Sequence, residues 1–316
     1  MQRILVALVA LAAALASPAH AGKLVVAYNQ WAGFAPVFVA KEKGFFEAAG
    51  VEVELKSFSG PGDSIAPLLA GHLDASLTTP DNVIAMNARG GKLRCVYMID
   101  ASAGADAVVA KKSVADVAAL KGKKIGTTVG EVNHLLLLKA LEKGGLTEKD
   151  VELVNLSPDD AGAAFVAGNL DAAVTWEPWV SKAASEGGGH TVFTSADAPN
   201  LLLDVVAVTE ETLAKRSKDV SALAQGIAKG VEYLKSNPKE AYELAGKWLS
   251  VPGSDVEAML GGVQLYTAAD NVAIFEKRTP LVGPLKSIAA FLKSQGKIES
   301  EPDVDAIVVG SVALGK

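Results

Sequence analysis

"GHLDASLTTPDNV" at residues 71–83 and "GNLDAAVTWEPWV" at residues 168–180 are two versions of one phrase. Each reads as a glycine turn, a short apolar strand and a helix opening on Pro80 or Pro178, a residue suited to a first helical turn. At the shared offset of 97, residues 63–78 match residues 160–175 at 8 of 16 positions, and Gly33 falls opposite Gly130. Only two copies exist, and each is too long for a stacked repeat array. The spacing therefore predicts two similar units that face one another.

Around the phrase, short β-rich runs alternate with amphipathic stretches: "KLVVAY", "PVFVAKEKGFFEAAG", "VEVELKSF", "DSIAPLLAG", "LDASLT", "PDNVIAMNARGG" and "LRCVYMI". The order resets near residue 107 and runs again from "KKIGTTVG" to "HTVFT". Such alternation predicts an α/β protein whose two lobes each hold a mostly parallel sheet flanked by helices. After residue 204 the chain turns largely helical, punctuated by Asn237-Pro238, Val251-Pro252-Gly253 and Gly283-Pro284. These helices read as a cap returning to the first lobe. The expected lobes are 22–107 plus 206–316 and an inserted 108–205, with crossings near 107–109 and 204–206.

Residues 1–21 hold Arg3, an apolar run over 4–16 and a small-x-small ending at Ala21. That is the pattern of a cleaved secretory signal, so a freely diffusing periplasmic protein is expected. No later stretch approaches the roughly 20 apolar residues that span a bilayer. Cys95 is the single cysteine, which excludes an intramolecular disulfide, a CxxC site and a lipid anchor at a new N-terminal cysteine. Stability must come from a core, which the 50% hydrophobic content can fill. Cleavage would remove Arg3 and no acidic residue, leaving 29 basic against 36 acidic side chains. That balance argues against nucleic acid or an anionic membrane surface as partner.

Catalytic motifs are missing: there is no GxSxG elbow, Walker loop or HExxH. His72, His134 and His190 lie far apart without adjacent ligands, so neither a metal site nor a cofactor is expected. "SGPGDS" at 59–64 resembles a phosphate cradle only loosely and reads better as a turn with Asp63 or Ser64 as N-cap. What remains is a rim of polar and aromatic residues where strands give way to helices: Asn29-Gln30-Trp31, Ser59-Gly60, residues 78–82, residues 130–134 and residues 175–178. Carboxyl ends of parallel strands form the crevice in which α/β proteins hold ligands, and helix starts there offer free N–H groups. Helix capping accounts equally well for Asp81 and Glu177. Trp31 and Trp176 read as contacts, Trp179 as core, and His134 as either. Asp74 and Asp171, repeated after Gly-x-Leu, read as parts of the scaffold.

Four stretches, "FAPVFVAKEKGFFEAAGVEVEL", "LLAGHLDASLTTP", "LKGKKIGTTVGEVNHLLLLKAL" and "AGNLDAAVTWEPWV", together resemble the solute-binding proteins of importers for nitrate, taurine and alkanesulfonates. The resemblance covers essentially the whole chain after residue 21. It implies a two-lobed, hinged periplasmic binding protein (type II), capture of a small solute between the lobes and delivery to an ABC permease with its ATPase. It implies no enzyme, no direct membrane anchor, and a monomer. Carried over by position, the family's cleft contacts fall on Gln30, Trp31, Ser59, Gly60, Thr78, Thr79, Glu131, Asn133, His134, Trp176, Glu177 and Asp204. Asp81, Glu131, Glu177 and Asp204 stand near this cleft with no arginine at those positions, a departure from an anion-binding pattern. An unpaired carboxylate beside a sulfonate repels it. The expected solute is therefore a small polar nitrogen- or sulfur-containing compound: a zwitterion, an amine or a sulfonate. The alternative is a pyrimidine-type thiamine precursor, or a related pyrimidine synthase-like enzyme.

Overall fold

The computed structural model describes residues 22–310; the secretory signal expected over residues 1–21 lies outside the described residues. Eleven strands are described: β1 (Gly22–Asn29), β2 (Val51–Phe58), β3 (Ala75–Thr78), β4 (Leu93–Ser102), β5 (Asp106–Lys111), β6 (Lys124–Thr127), β7 (Glu152–Asn155), β8 (Ala172–Trp176), β9 (Gly189–Thr194), β10 (Leu203–Thr209) and β11 (Val263–Leu265). They form a six-stranded sheet ordered β11-β4-β10-β3-β1-β2 and a five-stranded sheet ordered β7-β6-β8-β5-β9. Helices flank both, giving a two-lobed α/β protein of the periplasmic binding protein type.

The sheets are mixed, where sequence alternation led us to expect mostly parallel ones. Strands joined through helices do run parallel: β1 with β2 and β3, and β6 with β7 and β8. The exceptions are the strands that carry the chain between sheets. It leaves the first sheet on β4 and returns on β10 beside it, so that pair is antiparallel; it enters the second on β5 and leaves on β9, antiparallel again. Periodicity reports the presence of a strand and is silent on its direction.

The duplicated phrase folds twice in the same way. Asp74 accepts the N–H of Val25 at 2.8 Å, and Asp171, at the same offset, accepts that of Lys124 at 3.1 Å. Thr78 donates to the carbonyl of Pro61 at 2.9 Å, and Thr175 to that of Pro158 at 2.7 Å. Gly71 and Gly168 both adopt positive φ, 76° and 82°, where a residue with a Cβ is strained.

The crossings run side by side. Ser102 and Ser195 share a hydroxyl hydrogen bond of 2.8 Å, Gly104 N–H donates to Ser195 Oγ at 2.7 Å, and Asp106 N–H to Ser102 Oγ at 3.2 Å. After β10 the chain enters the 27-residue helix Glu210–Ser236, interrupted at Arg216. Gly226 and Gly230, one turn apart, let this helix lie against Phe46 and the backbone of Pro36; a Cβ would meet them at 2.3 and 2.0 Å. The helical cap closes on the first sheet, where the buried Asn271 side chain accepts Met98 N–H at 2.8 Å and donates to Met98 C=O at 2.9 Å. Among the described residues no helix is long and apolar enough to cross a membrane.

Candidate functional site

Strand ends of both sheets converge on one small cavity of about 20 Å³. Its walls are Asn29, Trp31, Pro61, Thr79 and Asp204 on one side and Asp106, Val132 and Trp176 on the other, with Leu202, packed in the second lobe's apolar cluster, at the crossing between them. Trp31 follows β1 and Trp176 ends β8, so the sheets place one indole each at the cleft. The rings meet at 6.0 Å between centroids, tilted by 51°, within the range of favourable aromatic pairs. Both are buried in one apolar cluster. Their N–H groups point to different carboxylates: Trp31 Nε1 to Asp100 at 3.1 Å, and Trp176 Nε1 to Asp159 at 3.1 Å.

Carboxylates dominate the electrostatics. Asp100 and Asp204 are directly opposite one another on β4 and β10. Asp81, Asp100, Asp106 and Asp204 are all buried, and none forms an ion pair among the described residues. Burial, with hydrogen bonds as a partial offset, pushes Asp81, Asp100 and Asp106 each up to about 7. Asp204 rises well above the ordinary carboxylate range, through burial first and then the charges of its three neighbours. Asp100 and Asp204 face one another across the strands, and burial together with the charge of Asp100 favours the protonated form of Asp204.

A second cavity of about 110 Å³ lies beside the first, lined by Ser59, Gly60, Asp63, Glu131, Asn133 and Ser157 among others. Glu131 spans the lobes here. Its Oε2 accepts Gly62 N–H at 3.1 Å and Asn82 Nδ2 at 3.2 Å. Burial raises its pKa, Asn82 lowers it, and Asp63 raises it.

A family model described as NMT1/THI5 like matches residues 31–241, which include both copies of the duplicated phrase and all but one of the wall positions of the small cavity. The chain belongs to the NMT1/THI5-like family. Within the comparisons, the taurine-binding periplasmic protein of Escherichia coli (strain K12) is 26% identical over 92% of this chain and 92% of its own. The alkanesulfonate-binding protein SsuA from Xanthomonas axonopodis pv. citri, bound to MOPS, superposes with a TM-score of 0.75 at 21% identity, covering 91% of this chain and 98% of that one. The desulfurization enzyme DSZB has a TM-score of 0.68 at 16% identity, covering 93% and 98%. At such identities the structural likenesses speak for the fold alone.

In this NMT1/THI5-like chain the expected site residues separate into groups. Trp31, Thr79, Trp176 and Asp204 line the small cavity. Ser59, Gly60, Glu131 and Asn133 line its neighbour, where both polar atoms of the Asn133 amide are buried without a hydrogen-bond partner among the described residues. Thr78 is spent on Pro61, and Gln30 donates to the carbonyl of Trp248 at 3.2 Å. Glu177 caps its helix, accepting Ser181 N–H at 3.1 Å and Ser181 Oγ at 3.0 Å. His134 is a buried helix residue whose Nδ1 accepts Gly130 N–H at 3.0 Å; burial pushes it down to about 4, aided by Lys297, with Glu148 opposing.

Two readings from sequence need correction. Trp179 is half-buried rather than core: it lies on Gly162, shares Asp159 with Trp176 at 2.9 Å, and has Lys182 Nζ 4.6 Å above its ring. Ser64 occupies the N-cap without capping; its hydroxyl donates to the carbonyl of Pro61 and meets Ser76. Sequence reasoning placed Asn29 on the rim without naming it a contact, and it missed Asp100, Asp106 and Asp159. A strand ending in an aspartate ("CVYMID") and another starting with one ("DAVVA") were the available signals for Asp100 and Asp106.

Proposed function

We propose that this protein is the extracytoplasmic solute-binding component of an ABC importer, holding a small polar organic solute between two hinged lobes, one built on the six-stranded sheet and one on the five-stranded sheet, with the chain changing lobe at residues 103–105 and 195–202 rather than at the expected 107–109 and 204–206. The observation that carries this reading is the placement of the cavity: both sheets contribute an indole and a carboxylate to one enclosed space, and the chain passes between them twice. A site divided in this way exists only when the lobes approach, so occupancy and closure are one event. Family membership and the named taurine- and alkanesulfonate-binding relatives support solute capture, followed by delivery to a permease and its ATPase. Export through residues 1–21 and a periplasmic location belong to the same proposal, as does the monomer.

The protein itself is read as a carrier without catalysis. The polar groups lining the small cavity are two carboxylates, an amide, a threonine hydroxyl and two indole N–H groups, with no cysteine, serine, histidine or lysine among its walls. Thermal denaturation tests the proposal, since a solute binding only the folded chain raises Tm by mass action. A compound from a panel of amines, zwitterions, sulfonates and pyrimidines raises Tm, and X-ray scattering with that compound gives a smaller radius of gyration than without it. A panel without a single stabilising compound, or an unchanged radius at saturation, contradicts the reading.

A further inference from the structure

The small cavity has four acidic side chains at or just behind its walls and no basic one. Asp106 and Asp204 line it directly, Asp100 stands behind Asp204, and Asp81 acts on Asp204 from the helix Pro80–Asn87. Asn29 adds an independent observation. It is 3% exposed, lines the same cavity, and its Oδ1 has no hydrogen-bond donor among the described residues. Asp100 Oδ2 is likewise buried without one. Buried acceptors without donors are costly, whereas a ligand that brings N–H groups satisfies them.

From this geometry we infer that the cavity is a pocket for an organic cation, an ammonium or amidinium, held between the faces of Trp31 and Trp176. Asp106 and Asp204 supply the counter-charge, and Asn29 Oδ1 accepts an N–H. The inference rests on the solute-binding reading above and names the substrate class for that site. Indole faces attract cations within about 6 Å of the ring centroid, and the carboxylates below them reject a sulfonate head at this position. A zwitterion is accommodated with its ammonium here and its anionic end toward the second cavity. A metal ion fits less well: among the described residues no three His, Cys, Asp or Glu side chains converge to hold one. The volume of about 20 Å³ in this closed arrangement is room for one water, so the cation enters as the indoles part.

Charge balance gives the pocket a second property. The titratable groups facing it are Asp100 on β4, Asp106 on β5, Asp204 on β10 and Asp81 on its helix, with Glu131 acting on Asp81 and Tyr266 near Asp100. Burial raises both carboxyls of the facing pair Asp100 and Asp204, so the pair retains a proton in the closed form. An arriving cation takes over its role, and the proton leaves to the buffer: one positive charge enters and one departs. Cation affinity therefore rises with pH through about 7.

Four probes decide it: benzylammonium, benzyl alcohol, taurine and ethanesulfonate, each assayed by thermal shift and titration calorimetry. Benzylammonium and taurine raise Tm, and their neutral and anionic counterparts do not. The heat of benzylammonium binding changes with the ionisation enthalpy of the buffer, and Asp204→Asn and Asp106→Asn each weaken it at least tenfold. A rise with ethanesulfonate or benzyl alcohol equal to that of its nitrogen-bearing partner overturns the cation inference and leaves solute binding standing. No rise with any probe counts against both. Undiminished benzylammonium binding in the two aspartate variants, each folded by circular dichroism, also overturns the inference, because a merely structural carboxylate leaves affinity and proton release unchanged.

Discussion

Glu131, at the start of a helix in one lobe, accepts the backbone N–H of Gly62 in the other at 3.1 Å. A Cβ on Gly62 would lie 1.9 Å from the Glu131 carboxylate, so a side chain here makes the carboxylate swing away and give up the bond. Glu131→Ala removes the latch, and charged hydrogen bonds of this kind contribute about 1.5–3 kcal/mol. Scattering on the ligand-free variant should show a larger radius of gyration than wild type, with melting temperature little changed because the lobes stay folded. Gly62→Val should reproduce the opening. Identical radii for wild type and both variants would refute the latch.

Protonation of the acidic cluster predicts an unusual pH profile. Carboxylates raised to about 7 retain protons in the folded chain that the unfolded chain has already released. Their contribution to stability is therefore present at low pH and lost as pH rises through about 7. His134, held down at about 4, gives the opposite slope, but only below its unfolded value near 6.5. Between pH 6.5 and 8 the carboxylates act alone among these groups. Ligand-free Tm should fall by at least about 4 °C over that interval, and Asp204→Asn should flatten the fall. A level or rising Tm in the wild type would show that the cluster holds no extra protons.

Trp176 is 4% exposed and packs into the first lobe's apolar cluster, whereas Trp179 is half-buried. Trp176→Ala should cost roughly 3 kcal/mol of stability, as for a buried aromatic, together with at least about tenfold in affinity for whichever solute raises Tm. Trp179→Ala should cost less stability and leave affinity within about twofold. Chemical denaturation and calorimetry on the pair measure both quantities; equal losses in the two variants would contradict the assignment.

The paired scaffold aspartates should not be equivalent. Asp74 accepts Val25 N–H and also Arg216 Nη1 at 2.8 Å, with the side chain 24% exposed. Asp171 accepts Lys124 N–H and pairs with Lys111 at 3.2 Å, with the side chain 36% exposed. Asp74→Ala should therefore destabilise by about 1.5–3 kcal/mol and Asp171→Ala by about 1 kcal/mol or less. Urea unfolding gives both numbers.

Much of this was legible in the chain itself. The repeated phrase located β3 in one lobe and β8 in the other, and residues such as Trp31 and Trp176 stood out because a strand end is a costly place to expose an indole. Strand direction was not legible, since β4 beside β10 depends on where a distant segment returns. Nor was Asp100: its significance comes from Asp204, 104 positions later in sequence but opposite it in register. Glu177 illustrates a limit of another kind. Capping and contact use the same carboxylate at the same helix start, and only the folded arrangement shows that Ser181 takes it.

The Thr78–Pro61 and Thr175–Pro158 bonds carry a consequence for how such a protein changes over generations. Each ties a threonine at or next to the end of its strand to the start of the preceding helix or turn. The very next position, Thr79 in one half and Trp176 in the other, is where the two copies part: Thr79 accepts from Asn82 at a helix start, whereas Trp176 ends its strand opposite Asp106. Mutation can sample that position in either half independently, and a change of diet in the cell can be met by substitutions one residue beyond a fixed joint. Specificity in this architecture is inherited as an interchangeable tip on a repeated mount.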